Sequence, residues 1–386
     1  MAPAAWHQMP NFEFATAARI LFGEGTLSQV PAAAASMGRR ALLVTGASPE
    51  RAAPLHQALH AAGISTVPFA VPGEPTLDLI RSAPRDFDFV IAFGGGSALD
   101  AGKALAALRT NPGDPLDYLE VIGLGHPLAF PAAPCIAIPT TAGTGSEVTR
   151  NAVLASPERR VKASLRSPSM FPHLAVVDPQ LTYHLPRSVT ASTGLDALTQ
   201  LIEPYVSIRA NPMTDLFAVE GMRRAAHALP LVWANPADTS ARCDMAWASL
   251  LGGMALANAA LGAVHGFAAP IGGMFPAPHG AVCAALLPHA MDVNIRALGA
   301  RAPKKLTRYD EVARLISGRP HATASDGVAW IAALCQELEI PPLGTYGVTQ
   351  SHVALLAEKA AQSSSMKGNP IVLHDEELRE IVSRSL

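Results

Sequence analysis

A regular alternation of short apolar runs and helix-forming stretches in the first half of the chain constrains the fold most. The strand candidates are ALLVTG (41–46), ISTVPFA (64–70), DFVIAFGGGS (88–97), the start of CIAIPTTAGTGSE (135–147) and LAVVDP (174–179). Residues 54–63 and 98–108 between them have helical character. Strands that alternate with helices pair in parallel through right-handed crossovers. The pattern therefore predicts an α/β domain, to which residues 12–25 are expected to add hairpin-like edge strands.

The second half of the chain changes character near Ser188. Long segments rich in Ala, Leu and Met, broken by Pro and Gly, replace the strand pattern at 189–207, 212–229, 239–260 and 281–298. Alanine and leucine are strong helix formers, so these segments predict helices. We expect an α/β domain over residues 1–187 and an all-α domain over residues 188–386.

Composition excludes several functional classes. The 386 residues are 49% hydrophobic and 16% charged, with a formal net charge of −2, which suits a globular chain with a large core. The absence of a long basic run argues against a nucleic-acid partner. No signal peptide and no apolar stretch long enough for a membrane span are recognised. The cysteines are far apart and predict buried thiols in a reducing compartment, the cytoplasm: Cys135, Cys243, Cys283 and Cys335.

The glycine-rich segment FGGGSALDAGK (93–103) lies between a predicted strand and a predicted helix. Glycines let a backbone approach a pyrophosphate closely, and a helix N-terminus offers free N–H groups and a positive dipole. Ser97 could cap that helix or donate its hydroxyl to phosphate. The spacing matches neither GxGxxG nor a Walker A motif, so alone it is equally compatible with a glycine-rich turn. A second such loop, PTTAGTGSE (139–147), follows another strand and favours a dinucleotide site.

A candidate metal site comes from the second half. Asp196, Gln200 and Glu203 share one face of a predicted helix, and an Asp on a largely apolar helix is costly to bury unless it is paired or binds a metal. His265 and His279 follow, and glycines and prolines between them are expected to break any helix so that the chain turns back. Two imidazoles and a carboxylate suit zinc or ferrous iron. Two core histidines and a helix-capping Asp remain the alternative.

Five motifs together resemble one family. In order they are FGGGSALDAGK (93–103), IPTTAGTGSEVT (138–149), GLDALTQLIE (194–203), GAVHGFAAPIGGMFPAPHG (262–280) and SSMKGNP (364–370). Over nearly its whole length the chain resembles the iron-containing (group III) alcohol dehydrogenases, within the dehydroquinate-synthase-like superfamily. No single motif is specific, but their joint occurrence in this order is.

The resemblance implies an N-terminal nucleotide-binding α/β domain, a C-terminal helical metal-binding domain and a homodimer. It implies hydride transfer between NAD or NADP and a small alcohol or carbonyl compound, assisted by a divalent metal, iron or zinc. The implied cofactor-binding residues are Gly46, Gly94, Gly95, Gly96, Ser97, Asp100, Thr140, Thr141, Ser146, Thr149 and Lys162. The implied metal positions are Asp196, Gln200, His265 and His279, and Asp196, His265 and His279 act in catalysis through the metal.

The chain departs from the family at two positions near the metal. Gln200 replaces a ligand histidine, and an amide oxygen binds zinc or iron more weakly than imidazole does. Relatives such as glycerol dehydrogenases manage with three protein ligands, so a site of Asp196, His265 and His279 is expected. Ala269 replaces a further histidine that is linked to substrate binding or proton relay, which enlarges the substrate pocket.

A third departure concerns the cofactor. Gly46 stands where many relatives carry an acidic residue that binds the adenosine ribose and repels a 2′-phosphate. With that carboxylate missing, NADP is expected to be accepted, and Ser48 or Arg51 could help to bind it. The alternative is an ordinary turn at a strand end.

The resemblance leaves other activities open. One is maleylacetate-reductase-like reduction of an unsaturated keto acid, and another is dehydroquinate-synthase-like lyase chemistry, which the wording of TTAGTGSEVT and DALTQLIE disfavours. A non-catalytic nucleotide- or metal-binding relative is the alternative of a different class, because Gln200 and Ala269 both replace functional residues.

Overall fold

A computed structural model describes residues 10–386, which form two compact units. One unit holds residues 16–141 and 145–184, and the other holds residues 10–15, 142–144 and 185–386. The first is built around a parallel sheet and the second almost entirely from helices. The predicted fold class, an α/β part followed by an all-α part, is confirmed.

The α/β unit contains all the described strands. They are β1 (Ile20–Phe22), β2 (Arg40–Thr45), β3 (Ser65–Ala70), β4 (Phe89–Gly94), β5 (Cys135–Pro139), β6 (Asn151–Ser156), β7 (Val161–Arg166) and β8 (Leu174–Val177). Six of these strands form a parallel sheet in the order β1-β8-β5-β4-β2-β3, and β6 pairs with β7 in an antiparallel hairpin. The helices of this unit are α1 (Val30–Ala34), α2 (Ala53–Ala61), α3 (Leu77–Ser82), α4 (Gly96–Thr110) and α5 (Pro115–Tyr118).

The central strands are apolar throughout because the sheet is covered on both faces. Along β2, Leu42 and Val44 belong to one hydrophobic cluster, whereas Ala41 and Leu43 belong to the cluster on the opposite face. The α4 helix packs very closely on β4: a Cβ on Gly102 would lie 2.5 Å from the Cβ of Ala92. This close packing fixes the N-terminus of α4 at the carboxyl end of β4.

Two details of the α/β unit differ from the predictions. The hairpin expected over residues 12–25 is wrong: only Ile20–Phe22 is a strand there, and it pairs in parallel with Leu174–Val177. Positive φ angles at Gly23 (134°) and Gly25 (75°) turn the chain away instead of returning it as a second strand. The β6–β7 hairpin was not predicted, because its half-buried strands carry too weak an apolar signal.

The helical unit contains nine helices in the described part of the chain. They are α6 (Arg187–Val206), α7 (Pro212–Ala234), α8 (Thr239–Ala259), α9 (Ala263–Met274), α10 (His279–Arg301), α11 (Leu306–Ser317), α12 (Ala324–Glu337), α13 (Val353–Gln362) and α14 (Asp375–Arg384). The α6 helix is central and buried from Gly194 to Val206. Across residues 10–386 no single helix meets the length and hydropathy of a membrane span; the bent pair α8 and α9 meets it by length and composition only.

The connection between the two predicted histidine ligands is more helical than expected. Gly272 and Gly273 were expected to break the helix, and this is wrong: α9 continues through both to Met274. The break is confined to residues 275–278, and α10 begins directly at His279. Glycine's unfavourable helix propensity, of about 1 kcal/mol, is small enough for tertiary packing to override.

Candidate active site

The carboxyl ends of β2, β4 and β5 bring the two predicted glycine-rich loops side by side. The amide of Thr140, just after β5, donates a hydrogen bond of 2.9 Å to the carbonyl of Gly94, which ends β4. A Cβ on Gly94 would lie only 3.2 Å from the amide nitrogen of Gly46, just after β2. The chain runs from β2 to β3 on one side and from β4 to β5 on the other, so this edge is a topological switch point. Open α/β sheets bind ligands at that position.

The N-terminus of α4 faces this edge. The helix begins at Gly96, and its N-cap Gly95 offers no side-chain hydrogen bond to the first turn. The interpretation of Ser97 as the N-cap is therefore wrong, since Ser97 lies inside the first turn. A Cβ on Gly95 would lie 3.4 Å from the Thr141 methyl group. Together these features form a crowded backbone surface with free N–H groups, which suits a diphosphate.

Three of the predicted cofactor residues contact one another. The Ser146 hydroxyl donates to Asp100 Oδ1 at 2.6 Å. The buried ammonium of Lys103 donates to the Ser146 carbonyl and the Thr149 hydroxyl, both at 2.9 Å. It also lies 3.2 Å from Asp100 Oδ1. This network fastens the second glycine-rich loop to α4, and Lys103 is its centre.

Lys103 has a structural role that the sequence interpretation missed. The signal was present, because this lysine closes the glycine motif FGGGSALDAGK and follows Asp100 by three residues on α4. The second oxygen of Asp100 accepts a 2.9 Å hydrogen bond from the amide of Val153 and thereby holds the β6–β7 hairpin. Lys162, on that hairpin, has its ammonium 2.9 Å from Glu74 Oε1, so it is held by Glu74 instead of by the network.

The backbone at Gly46, the predicted adenosine-binding position, has open space beside it. An added Cβ on Gly46 would have no heavy atom within 4 Å. Ser48 and Arg51 are exposed nearby in sequence, and the Arg51 guanidinium donates a 2.6 Å hydrogen bond to the carbonyl of Leu181. Any contact of Arg51 with a 2′-phosphate would therefore compete with this hydrogen bond.

In the helical unit, four potential ligand side chains from three helices converge. Asp196 comes from α6, His265 from α9, and His279 and Cys283 from α10, and their ligand atoms all lie within 4.8 Å of one another. Asp196 Oδ1 lies 3.3 Å from His265 Nε2 and 3.7 Å from His279 Nε2. The sequence interpretation missed Cys283, although its spacing of four from His279 places both on one face of a helix.

The cluster fits a divalent metal. Asp196, His265 and Cys283 are buried, whereas the His279 side chain is 37% exposed. Among the described residues, the buried oxygens Asp196 Oδ1 and Gln200 Oε1 accept no hydrogen bond. Leaving a buried acceptor without a hydrogen bond costs about 1–3 kcal/mol. Oxygen, imidazole and thiol donors grouped in this way are the ligands that zinc and ferrous iron use.

Glu203 orients the first histidine. Its Oε2 lies 2.7 Å from His265 Nδ1, and its Oε1 accepts a 2.7 Å hydrogen bond from the amide of Val264. With a proton on Nδ1, the lone pair of Nε2 faces Asp196. Carboxylates commonly orient metal-binding histidines in this way. The sequence placed Glu203 on the correct helix face but assigned it no role.

The C-terminal motif SSMKGNP supports α9, the helix that carries His265. Asn369 Oδ1 accepts hydrogen bonds from the amide of Ala263, at the start of α9, and from Asn294 Nδ2. The Asn369 amide nitrogen donates back to Asn294 Oδ1 at 2.7 Å. Asn369 thus joins α9 to α10, the two helices that carry the histidines.

Charge within the cluster changes the proton affinities of its members. Burial alone would raise the pKa of Asp196, but His279 and His265 outweigh it and hold that pKa below its usual range. Burial alone would lower the pKa of both imidazoles. The nearby Cys283 and Asp196 reverse this effect, raising the pKa of His279 to about 9 and that of His265 well above its usual value. These opposite shifts show that the carboxylate and the two imidazoles stabilise one another's charged forms.

The predicted substrate position lies one turn beyond the first histidine. Ala269 follows His265 by four residues on α9 and is half-buried. A spacing of four places this small apolar side chain on the same face of α9 as His265.

Comparison with known proteins identifies related chains along nearly the whole length. A sequence profile described as "Iron-containing alcohol dehydrogenase" matches residues 17–179, and "Fe-containing alcohol dehydrogenase family, C-terminal" matches residues 190–386. The 1,3-propanediol dehydrogenase of Klebsiella pneumoniae is 34% identical over 97% of this chain and 96% of that protein. The choline dehydrogenase of Bacillus subtilis is 33% identical over 97% and 94%.

Solved structures give the same result. A crystal structure of 1,3-propanediol oxidoreductase superposes with a TM-score of 0.90 at 32% identity, covering 98% of this chain and 100% of that one. Sulfoacetaldehyde reductase from Bifidobacterium kashiwanohense, in complex with NAD+, superposes with a TM-score of 0.85 at 27% identity, covering 97% and 99%.

Proposed function

Because the chain belongs to the iron-containing alcohol dehydrogenase family, we propose that it holds its metal on Asp196, His265 and His279 and its cofactor at the glycine-rich loops. The chain is a metal-dependent oxidoreductase that acts on CH–OH groups and uses a nicotinamide cofactor. One observation carries the proposed metal site above all. The buried Asp196 Oδ1 accepts no hydrogen bond within the described chain, yet it lies beside two imidazoles from other helices.

The proposed roles follow from the contacts of each residue. A bound metal supplies a Lewis acid that polarises a carbonyl or stabilises an alkoxide. Asp196 neutralises part of the charge of the cation, and Glu203 keeps Nε2 of His265 available by hydrogen-bonding its other nitrogen. We assign metal and substrate binding to residues 188–386.

We assign cofactor binding to residues 1–187. The free N–H groups at Gly95 and Gly96 bind the diphosphate, with Ser97 and Thr141 beside them. The network around Lys103 keeps the second loop against α4. Since Gly46 offers no carboxylate to repel a 2′-phosphate, we propose that NADP is accepted as well as NAD.

The proposed substrate is a small alcohol with its aldehyde or ketone. The relatives compared above are named for propanediol and choline oxidation and for sulfoacetaldehyde reduction, so alcohol–carbonyl pairs are favoured over an unsaturated keto acid. The small side chain of Ala269 leaves room for a substrate that is bulkier than methanol or ethanol. Because Asp196, His265 and His279 are all present, we favour an active enzyme over a non-catalytic relative.

We also propose that the enzyme is a cytoplasmic homodimer. Cys135 and Cys283 are buried free thiols, which suits a reducing compartment. Light scattering on the purified protein gives the molar mass directly. A mass near twice 40.2 kDa is expected, and a mass near 40.2 kDa would contradict the dimer.

The proposed activity is tested on purified protein loaded with Fe²⁺ or Zn²⁺. Reduced-nicotinamide absorbance is followed with 1,3-propanediol, choline, longer alcohols, their aldehydes and maleylacetate. We expect turnover of an alcohol–aldehyde pair that stops when a chelator removes the metal and returns when the metal is restored. Turnover by protein shown to be metal-free by elemental analysis would contradict the metal role. Reduction of maleylacetate alone would favour the keto-acid alternative.

A further inference from the structure

A thiol lies among the three proposed metal ligands. Cys283 Sγ is 3.7 Å from His279 Nε2 and 3.9 Å from His265 Nε2. The side chain is fully buried, and its backbone belongs to α10, one helical turn beyond His279. Because a helix fixes both residues, the thiol cannot leave the cluster without a change of rotamer or a movement of α10.

The distances between donor atoms match those around a tetrahedral metal. Zinc–nitrogen and zinc–oxygen bonds of about 2.0–2.1 Å and a zinc–sulfur bond of about 2.3 Å separate neighbouring donors by roughly 3.3–3.6 Å. The corresponding distances from Asp196 Oδ1 to the two imidazole nitrogens are 3.3 and 3.7 Å. Those from Cys283 Sγ are 3.7 and 3.9 Å. These four distances lie within about half an ångström of the tetrahedral values, and all four ligand atoms lie within 4.8 Å of one another.

Two other thiols of the chain, Cys135 and Cys335, have different surroundings. Cys335 Sγ donates to the carbonyl of Ala284 at 3.5 Å, and burial raises the pKa of Cys335 to about 12. Burial likewise raises the pKa of Cys135 to about 12. Cys135 is a core thiol and Cys335 a partly buried one, whereas Cys283 lies 3.7 and 3.9 Å from two imidazole nitrogens and within 4.8 Å of a carboxylate oxygen. The environment of Cys283 is therefore the one suited to a metal-bound thiolate.

The presence of Gln200 leaves the proposed metal site without a strong fourth ligand, a place that the Cys283 thiol can fill. A neutral amide oxygen is a weak ligand for zinc or iron, and Gln200 occupies the place of a ligand histidine. We propose that Cys283, as a thiolate, is the fourth protein ligand beside Asp196, His265 and His279. Thiolate ligands favour zinc, so the site prefers zinc to ferrous iron. The inference rests on the proposed metal site and adds the identity of its fourth ligand.

Four protein ligands are compatible with catalysis. Zinc in catalytic sites sometimes becomes five-coordinate, so a site held by Asp196, His265, His279 and Cys283 would still have room for a substrate oxygen. The thiolate also adds a second negative charge to that of Asp196. The ligand set as a whole then balances a divalent cation in a buried environment.

Cobalt(II) substitution tests the proposal without measuring activity. A thiolate bound to Co²⁺ gives an intense ligand-to-metal charge-transfer band in the near ultraviolet, whereas the visible bands report coordination geometry. We expect both sets of bands in the wild-type protein. Cys283→Ala should keep visible bands and lose the charge-transfer band, and Cys283→Ser keeps the side-chain volume if the alanine variant fails to fold. Cys335→Ala is the matched control, because it removes a partly buried thiol outside the cluster and should change neither set of bands.

Metal affinity gives a second measurement. Competition with a chromophoric chelator should show that Cys283→Ala weakens zinc binding by about 100-fold or more, since loss of even an outer-shell partner costs 10- to 100-fold. The double variant Gln200→His, Cys283→Ala restores an imidazole and should recover much of that affinity without a charge-transfer band.

The outcomes separate the proposal from the site on which it rests. Visible cobalt bands without a charge-transfer band in the wild type would overturn the Cys283 assignment and leave the three-ligand site intact. A charge-transfer band that survives in both Cys283 variants would assign the thiolate to another cysteine and also overturn it. Absence of any bound cobalt would overturn the metal site itself.

Discussion

Buried polar side chains are treated in opposite ways in the two units. Around the glycine-rich loops, Lys103, Asp100 and Ser146 satisfy one another, and the edge that suits a cofactor is built from backbone N–H groups. In the helical unit, Asp196 and Gln200, both on α6, each have a buried oxygen without a hydrogen bond in the described chain. The first region uses polar side chains to shape a loop, whereas the second brings together side chains that could bind a metal ion. Substitutions should therefore change stability in the first region and metal binding in the second.

The largest expected effect tests the second half of this comparison. Asp196→Asn keeps the side-chain shape but removes the charge, so we expect metal content near zero and a kcat/KM lower by at least about 1000-fold, which is about 4 kcal/mol in transition-state stabilisation. Elemental analysis and steady-state kinetics measure the two effects. Asp215→Asn is the matched control, because this buried carboxylate pairs with Arg308 in the same unit. Asp215→Asn should lower stability and leave the metal content unchanged. A metal content in Asp196→Asn equal to that in Asp215→Asn would contradict the ligand role of Asp196.

The next effect tests an exception in the first region. Glu147 is buried in the second glycine-rich loop, and its Oε2 accepts no hydrogen bond among residues 10–386. Burial raises the pKa of Glu147 from 4.5 to about 7. The folded protein therefore keeps a proton that the unfolded chain releases above its lower pKa. The free energy of unfolding therefore decreases as the pH rises from 4.5 through 7. The total decrease due to Glu147 reaches about 3 kcal/mol.

Glu147→Gln should remove this pH dependence. The variant should unfold at nearly the same denaturant concentration as the wild type at pH 4.5. At pH 8 it should be more stable, by up to about 3 kcal/mol. Shared effects of other carboxyl groups cancel in the difference between the two proteins. Glu120→Gln, which changes a half-exposed partner of Arg166, should show no such trend. A constant difference between wild type and Glu147→Gln at all pH values would contradict the buried-proton interpretation.

A smaller effect is expected at Glu203, which contacts the proposed ligand His265 and not the metal itself. Glu203→Gln weakens the hydrogen bond to His265 Nδ1 and removes a charge, so zinc affinity should fall by about 10- to 100-fold. Chelator competition measures this change. Glu311→Gln is the control, because that carboxylate accepts a hydrogen bond from the Tyr205 hydroxyl and belongs to α11. Equal affinity in the Glu203 variant and the wild type would show that the imidazole needs no orienting carboxylate.

The same contrast explains what the sequence could predict. The parallel sheet and its two loops follow from contiguous segments, in which apolar runs end at glycines. Asp196, His265 and His279 could be selected because their neighbouring residues match the family motifs. The role of Lys103 could not, because it depends on a loop that returns to α4 from 43 residues further along the chain.

Cys283 and the helical link before it depend on tertiary packing. A spacing of four from His279 predicts a shared helix face but not which way that face points, and packing of α10 on α6 decides it. Gly272 and Gly273 have low helix propensity, yet α9 continues through both. Local propensity is a weak guide where a segment is held by its neighbours.

The smallest effect is expected from a single side chain added at Gly46. It tests whether that side chain can change the cofactor preference of a site built mainly from backbone groups. Gly46→Asp places a carboxylate where an added Cβ has no neighbour within 4 Å, so the fold should tolerate it. A carboxylate there can accept hydrogen bonds from the ribose of NADH and repel the 2′-phosphate of NADPH. Like charges a few ångströms apart near a surface repel by roughly 1–4 kcal/mol, so the kcat/KM ratio of NADPH to NADH should fall by about 10-fold or more.

Gly73→Asp is the matched control for this prediction. It adds the same charge at another open glycine, in the loop after β3, and should leave the cofactor ratio unchanged. If Gly46→Asp lowers kcat/KM equally for both cofactors, the carboxylate disturbs the loop and does not discriminate against the 2′-phosphate of NADPH. A selective loss with NADPH means that the backbone holds the diphosphate, while the side chain after β2 decides which nicotinamide cofactor is bound.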